Sequence, residues 1–189
     1  MGGGLGVRVL GGAALILIGI LGLGVAMSSS WEAEASDVID APVQDIMAYL
    51  DSPEGWRAWT PWPDSVFPTD GPARGQGAGM AWDDPELGDG SFTLTQVTAT
   101  GVQYHVEVNG GAMVTDGTIE LAAEGSGTRV TWREEGDLGR NPLMGFWALS
   151  MDRAQTDELV KGVRRLGELV LGTPQRETPA DSGSTGASD

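Results

Sequence analysis

Seven tryptophans in 189 residues are the first feature of this sequence with chemical consequences. Trp56, Trp59 and Trp62 recur at every third position around a Pro-rich turn, and Trp82, Trp132 and Trp147 fall on or near expected strands and the segment that follows them. Rings lining a cavity would give a ligand wide apolar contact and an N–H to orient a polar group, whereas plain core packing would use the same rings for their area alone. With Phe92, Tyr104 and Phe146 added, Trp56, Trp59, Trp62, Trp82, Trp132 and Trp147 form the candidate ligand-contacting set.

The polar candidates are fewer. His105 is the only histidine, so no multi-histidine metal site can form, and no cysteine is present to pair with it. It shares the polar face of its strand with Gln103 and Glu107, which favours a solvent-facing or cavity-wall imidazole over a general base. Glu134, Glu135 and Asp137 crowd one strand end, but neighbours on a strand point to opposite faces, so Glu134 and Glu135 cannot both meet one substrate. Asp83, Asp84, Glu86 and Asp89 read as a solvated acidic turn, since their spacing is not that of a calcium loop. Gly75, Gly77 and Gly79 precede a strand and no Lys-Ser/Thr, unlike a phosphate loop. No catalytic residue, metal site or cofactor is assigned from these groups.

A formal charge of -16, with Lys161 the only lysine, excludes nucleic acid as a partner and suits a salty medium. The absence of cysteine excludes disulfides and thiolate chemistry. An apolar share of 40% suffices for one core, not for several membrane spans.

Residues 9–27 carry no charge and approach the roughly 20 residues that cross a bilayer as helix. Arg8 before them and Glu32, Glu34 and Asp37 after them place the N-terminus inside. The expectation is a single-pass membrane protein, with residues 1–30 as anchor and an extracytoplasmic domain over 31–172. A signal peptide cut near Ala26-Met27-Ser28 is the competing reading; the long apolar run favours a retained anchor. Residues 173–189, rich in Thr, Ser, Gly and Pro with some acid, read as a disordered tail.

Positioning the candidates requires an α+β order. A strand over 31–39 is followed by a short helix with Val43, Ile46, Met47 and Leu50 at helical spacing, with Asp40 as candidate cap, and a second short helix or turn over 52–59. Strands are expected over 79–82, 91–98, 102–108, 118–122 and 128–134. A long helix over 151–171 closes the chain on an apolar stripe of Leu159, Val163, Leu166, Leu169 and Val170. The apolar stretch 141–151, with Phe146 and Trp147, reads as a lid over a cavity mouth, a surface dipping into lipid headgroups, or an ordinary packed connection.

These residues resemble the START-like (SRPBCC, helix-grip) superfamily and its polyketide cyclase/dehydrase-like branch. The likeness covers about 31–171. It rests on Ile39-Asp40-Ala41-Pro42 at the strand-to-helix junction, Trp56, Trp59 and Pro61-Trp62, the late strand Gly127-Thr128-Arg129-Val130-Thr131-Trp132, and Met151-Asp152 before the last helix. The resemblance implies a curved antiparallel sheet gripping a long helix around a cavity for a hydrophobic small molecule or lipid. A binding domain is the favoured function. Behind it stand a cyclase- or dehydratase-like enzyme using His105 or Glu134 as acid/base, and an interaction module of an envelope complex.

Overall fold

The computed structural model describes residues 30–86, 88–137 and 144–172. β1 (Ser30–Ile39) turns Glu32 and Glu34 outward and buries Trp31, Ala33 and Ala35, the period-2 pattern of a half-buried strand. α1 (Val43–Met47) follows with Pro42 as its N-cap; Asp40 instead accepts a hydrogen bond from the Ser126 hydroxyl at 2.8 Å. α2 (Pro53–Arg57) is capped by Ser52, whose hydroxyl accepts from the Gly55 N–H at 3.2 Å.

The remaining strands are β2 (Phe67–Pro68), β3 (Gly79–Asp84), β4 (Gly88–Thr98), β5 (Gly101–Val108), β6 (Met113–Glu124) and β7 (Gly127–Asp137). They form one antiparallel sheet in the order β1-β7-β6-β5-β4-β3-β2, so β1 and β2 lie at opposite edges. A register shift between Leu94 and Gln96 marks an irregularity in β4, the kind of feature that bends a strand and helps a sheet curve. α3 (Met144–Val170) packs across the inner face on β1, β7 and α1, burying Leu159, Val163 and Leu166. Gly172, in the left-handed region at φ +67°, donates its N–H to the Leu169 carbonyl and ends the helix, as expected of a C-terminal glycine.

Three elements differ from the sequence reading. β6 starts five residues before position 118, through Thr115, Asp116 and Gly117, which fall outside any strand in the sequence reading. β2 was not expected; it sits at an edge, where Pro68 needs no ladder N–H. α3 starts at Met144, so the stretch read as a connection over 144–150 is about two turns of the helix itself.

The expectation of a membrane-spanning protein is overturned. Among the described residues no helix is long and apolar enough to cross a membrane. α3 has the length, but Arg153, Asp157, Glu158, Lys161, Arg164, Arg165 and Glu168 break its apolar run. The segment 9–27, on which that expectation rested, and the tail 173–189 lie outside the described residues.

Candidate functional site

The sheet register builds the site. Tyr104 on β5 pairs with Gly117 on β6, which pairs with Glu134 on β7, so the three stand side by side across the inner face. Two strand spacings separate Tyr104 from Glu134, about 10 Å between backbones. The phenol bridges that gap because position 117 has no side chain; a Cβ there would overlap the Tyr104 ring. The Tyr104 hydroxyl donates to Glu134 Oε1 and accepts from Trp132 Nε1 at 2.7 Å. Gln155 on α3 donates from Nε2 to Glu134 Oε2 at 2.6 Å.

Glu134 is 8% exposed. Burial raises its pKa above the ordinary carboxyl value, opposed in part by the bonds from Tyr104 and Gln155. Burial, then the adjacent Glu134 carboxyl, pushes the Tyr104 phenol well above its usual range. Among the described residues no salt bridge reaches Glu134; its two polar contacts are neutral donors.

This network forms part of the wall of a cavity of about 290 Å³ between the sheet, the Trp-rich turn and α3. Trp56, Trp62, Phe92, Tyr104 and Trp132 line it with Val106 and Leu159; Thr60, Glu134, Gln155, Glu158 and Arg165 supply its polar groups. Of the nine candidates read from the sequence, these five reach the cavity. Trp59 packs behind it against Trp56 and Trp132, at centroid distances of 4.8 and 5.2 Å, and Trp82 sits behind Trp62 at 5.9 Å. The side chains of Phe146 and Trp147 lie outside the described residues.

The indole N–H groups do not face a ligand as one sequence reading had it. Trp56 donates to the Leu50 carbonyl at 2.7 Å, Trp59 to the Tyr49 carbonyl at 3.3 Å, Trp62 to the Thr60 hydroxyl at 2.6 Å and Trp132 to Tyr104. The rings therefore offer apolar surface, and orienting a polar group falls to Glu134, Gln155 and Arg165. Arg165 is held by donating from Nε to the Trp59 carbonyl at 2.9 Å.

Sequence reasoning considered Glu134 only as an acid/base and missed Gln155 and Arg165. The signals existed. Glu134 lies two residues beyond Trp132 and four beyond Val130, on the inward face of β7. Positions 155, 158, 159, 162 and 165 share one side of a helix. As read from the sequence, Glu135 points away from Glu134 and is exposed.

His105 lies on the outer face of the sheet, where Nδ1 meets Asp116 at 2.7 Å and Nε2 meets Glu107 at 3.2 Å. The bond to Asp116 raises its pKa, with Glu107 adding to the effect. A larger hollow of about 650 Å³ is lined by Glu32, Glu34, Asp116, Glu120, Arg133 and Glu135 and reaches Ala33, Glu134 and Thr156, so Glu134 borders both hollows. Arg133 there bridges Glu34 at 2.6 Å and Glu120 at 3.1 Å. A hollow walled by charged groups has little apolar surface for a hydrophobic ligand, so the smaller aromatic cavity is the better site.

The sequence profile of the family described as polyketide cyclase / dehydrase and lipid transport matches residues 30–170. Among solved structures, the chain is similar to a Thalictrum flavum norcoclaurine synthase point mutant in complex with a transition-state analogue. Identity is 13%, coverage 76% of this chain and 95% of that one, and the TM-score 0.59. It is similar to the di-domain ARO/CYC StfQ of the steffimycin biosynthetic pathway at 12% identity, covering 76% of this chain and 51% of StfQ, with a TM-score of 0.57. It is also similar to DynU16, from the dynemicin biosynthetic locus, at 16% identity, 77% of this chain, 49% of DynU16 and a TM-score of 0.55. The chain thus spans about half the length of StfQ and of DynU16. No curated protein matches the sequence. At these identities the structural likeness shows a shared fold, a curved antiparallel sheet with a C-terminal helix.

Proposed function

The chain belongs to the polyketide cyclase/dehydrase and lipid transport family, and from that premise we propose that it binds one hydrophobic small molecule in the cavity between sheet and α3. The observation that carries this reading is a cavity of about 290 Å³ walled by Trp56, Trp62, Phe92, Tyr104 and Trp132. That volume is at the lower end of ligand pockets, which run from roughly 300 to 1,000 Å³. It suits a small ring system better than the two chains of a lipid. Native mass spectrometry of the full chain, purified gently from its host, tests the reading. The expected result is a small apolar molecule bound near one to one, and lost when Val106→Trp fills the cavity while the circular dichroism stays unchanged. A chain that carries nothing, and whose tryptophan fluorescence no small apolar probe perturbs, would overturn it.

An enzymatic reading is favoured by one further observation, the buried Glu134 carboxyl with its raised pKa on the cavity wall. Glu134 would then pass a proton to or from a bound carbonyl compound, directly or through the Tyr104 hydroxyl. Its mark would be a turnover that Glu134→Gln abolishes while binding persists.

A further inference from the structure

We propose that the ligand of this cavity presents a cationic amine to Glu134 while its apolar body lies against the surrounding rings. The inference rests on the cavity-binding reading above and narrows its ligand class.

Every donor in the network points toward one carboxyl group. The Trp132 N–H donates to Tyr104, the Tyr104 O–H donates to Glu134 Oε1, and the Gln155 N–H donates to Glu134 Oε2. An array of this polarity favours negative charge on Glu134, because each bond strengthens as its acceptor gains charge. Yet no cation lies against Glu134 among the described residues, and a buried carboxylate held only by neutral donors is costly. A carboxylate has about four acceptor positions, and among the described residues two are occupied. The rest, on a residue that lines the cavity, are available to a ligand donor.

The rings agree with a cation. Trp56, Tyr104 and Trp132 border the cavity beside Glu134, and aromatic faces attract an ammonium within about 6 Å. Their own N–H and O–H groups are engaged by protein acceptors, leaving ring surface rather than competing donors. A neutral apolar ligand would bury Glu134 further without compensation, and an anion would be repelled by it.

Arg165 does not contradict this placement. It lies ten residues beyond Gln155 on α3, about 15 Å along the helix axis. Its Nε is fixed on the Trp59 carbonyl, and its field falls on Glu158. The cavity wall thus carries the Glu134 carboxyl beside Gln155 and, further along α3, the Arg165 guanidinium with the Glu158 carboxylate near it. An amine on an apolar body fits Glu134, with any acceptor group directed to Arg165.

The test compares three probes of one skeleton on the full chain by calorimetry and tryptophan fluorescence: 4-phenylbutylamine, 4-phenylbutan-1-ol and 4-phenylbutanoate. The ammonium should bind at least tenfold more tightly than the alcohol, and the carboxylate most weakly. Glu134→Gln, near in shape, should bring the ammonium down to about the level of the alcohol, because it removes the charge and keeps an acceptor for a neutral donor. A second readout uses the unaltered protein: ammonium affinity should fall as pH is lowered through the Glu134 titration, while alcohol affinity stays flat. Among the described residues, the other titratable or charged groups lining the cavity with Glu134 are Tyr104 from β5 and Glu158 and Arg165 from α3; β1 and β6 bring Ala33 and Gly117 to the same row. Alcohol or carboxylate binding as tightly as the ammonium overturns the inference and leaves the cavity reading intact. Binding by none of the three, under conditions where the chain is folded, overturns both.

Discussion

Glu134 carries an energetic conflict that the rest of the core does not. Its carboxyl sits among buried rings with a pKa raised by burial, and only two neutral donors hold it. A carboxyl with a raised folded pKa binds its proton more tightly in the native than in the unfolded state, so stability falls as pH rises from the unfolded value near 4.5 through the folded one. Glu134→Gln removes that titration. The variant should melt at or above the wild-type temperature at pH 8 and show a shallower decline between pH 5 and 8, measured by thermal denaturation in matched buffers. An unchanged pH slope would mean the carboxyl is not a buried titrating group. Tyr104→Phe asks what the relay is worth. It leaves the Trp132 N–H and one Glu134 oxygen without their partner in a buried site, and each such loss costs about 1–3 kcal/mol. Urea denaturation should register a combined loss of about 2–6 kcal/mol with little change in its dependence on denaturant.

At the scale of elements, the sheet seats its largest rings over glycine. Trp31 pairs with Gly136, Trp82 with Gly90 and Tyr104 with Gly117, and a Cβ at any of these glycines would overlap the partner ring. α3 repeats the device, with Gly162 beneath Trp132. Two glycines of this helix therefore make opposite predictions. Gly167→Ala meets Ile39 at an ordinary 3.4 Å and should stabilise by up to about 1 kcal/mol through helix propensity. Gly162→Ala should instead destabilise by about 1–3 kcal/mol, because the overpacking against Trp132 exceeds the same propensity gain. Equal effects of the two substitutions, read from chemical denaturation, would show that Trp132 yields freely. The same device explains what sequence reading could and could not see. Alternation exposed the inward faces of β1, β4 and β5, and helical spacing exposed the stripe Leu159, Val163 and Leu166. Gly117 falls outside the expected strand because its role is visible only beside Tyr104, across a strand boundary that the sequence does not print. Likewise, the five cavity-lining aromatics were in the candidate set, but periodicity marks them as inward-facing without separating them from Trp59 and Trp82, which only pack. One donor to Glu134 comes from Gln155, 21 positions away on another element, and no local pattern joins the two.

For the whole molecule, 27 acidic against 11 basic residues leave an excess of 16 negative charges on a small chain. The described ion pairs do little to offset this. Arg133 with Glu34 and Glu120, Arg129 with Glu124, and Arg74 with Asp51 are all on the surface, where a pair contributes about 0–1 kcal/mol. Self-repulsion among the unpaired carboxylates opposes compaction and is relieved by screening, whose range shrinks from about 10 Å at 0.1 M salt to about 3 Å at 1 M. His105 adds a pH dependence of known sign. Asp116 and Glu107 raise its folded pKa above 6.5, so its contribution is fully present below 6.5 and is lost as pH rises through the folded value. Glu134 and His105 therefore act in the same direction, and rising negative charge reinforces them. The melting temperature should be higher at pH 6 than at pH 8, and sodium chloride raised from 0.1 to 1 M should lift it at both, by more at pH 8. His105→Gln should reduce the fall between pH 6 and 8 while keeping the response to salt, because one depends on a single clamp and the other on the total charge. A melting temperature that drops on adding salt would mean the surface ion pairs outweigh the repulsion, reversing the balance drawn here between local pairs and net charge.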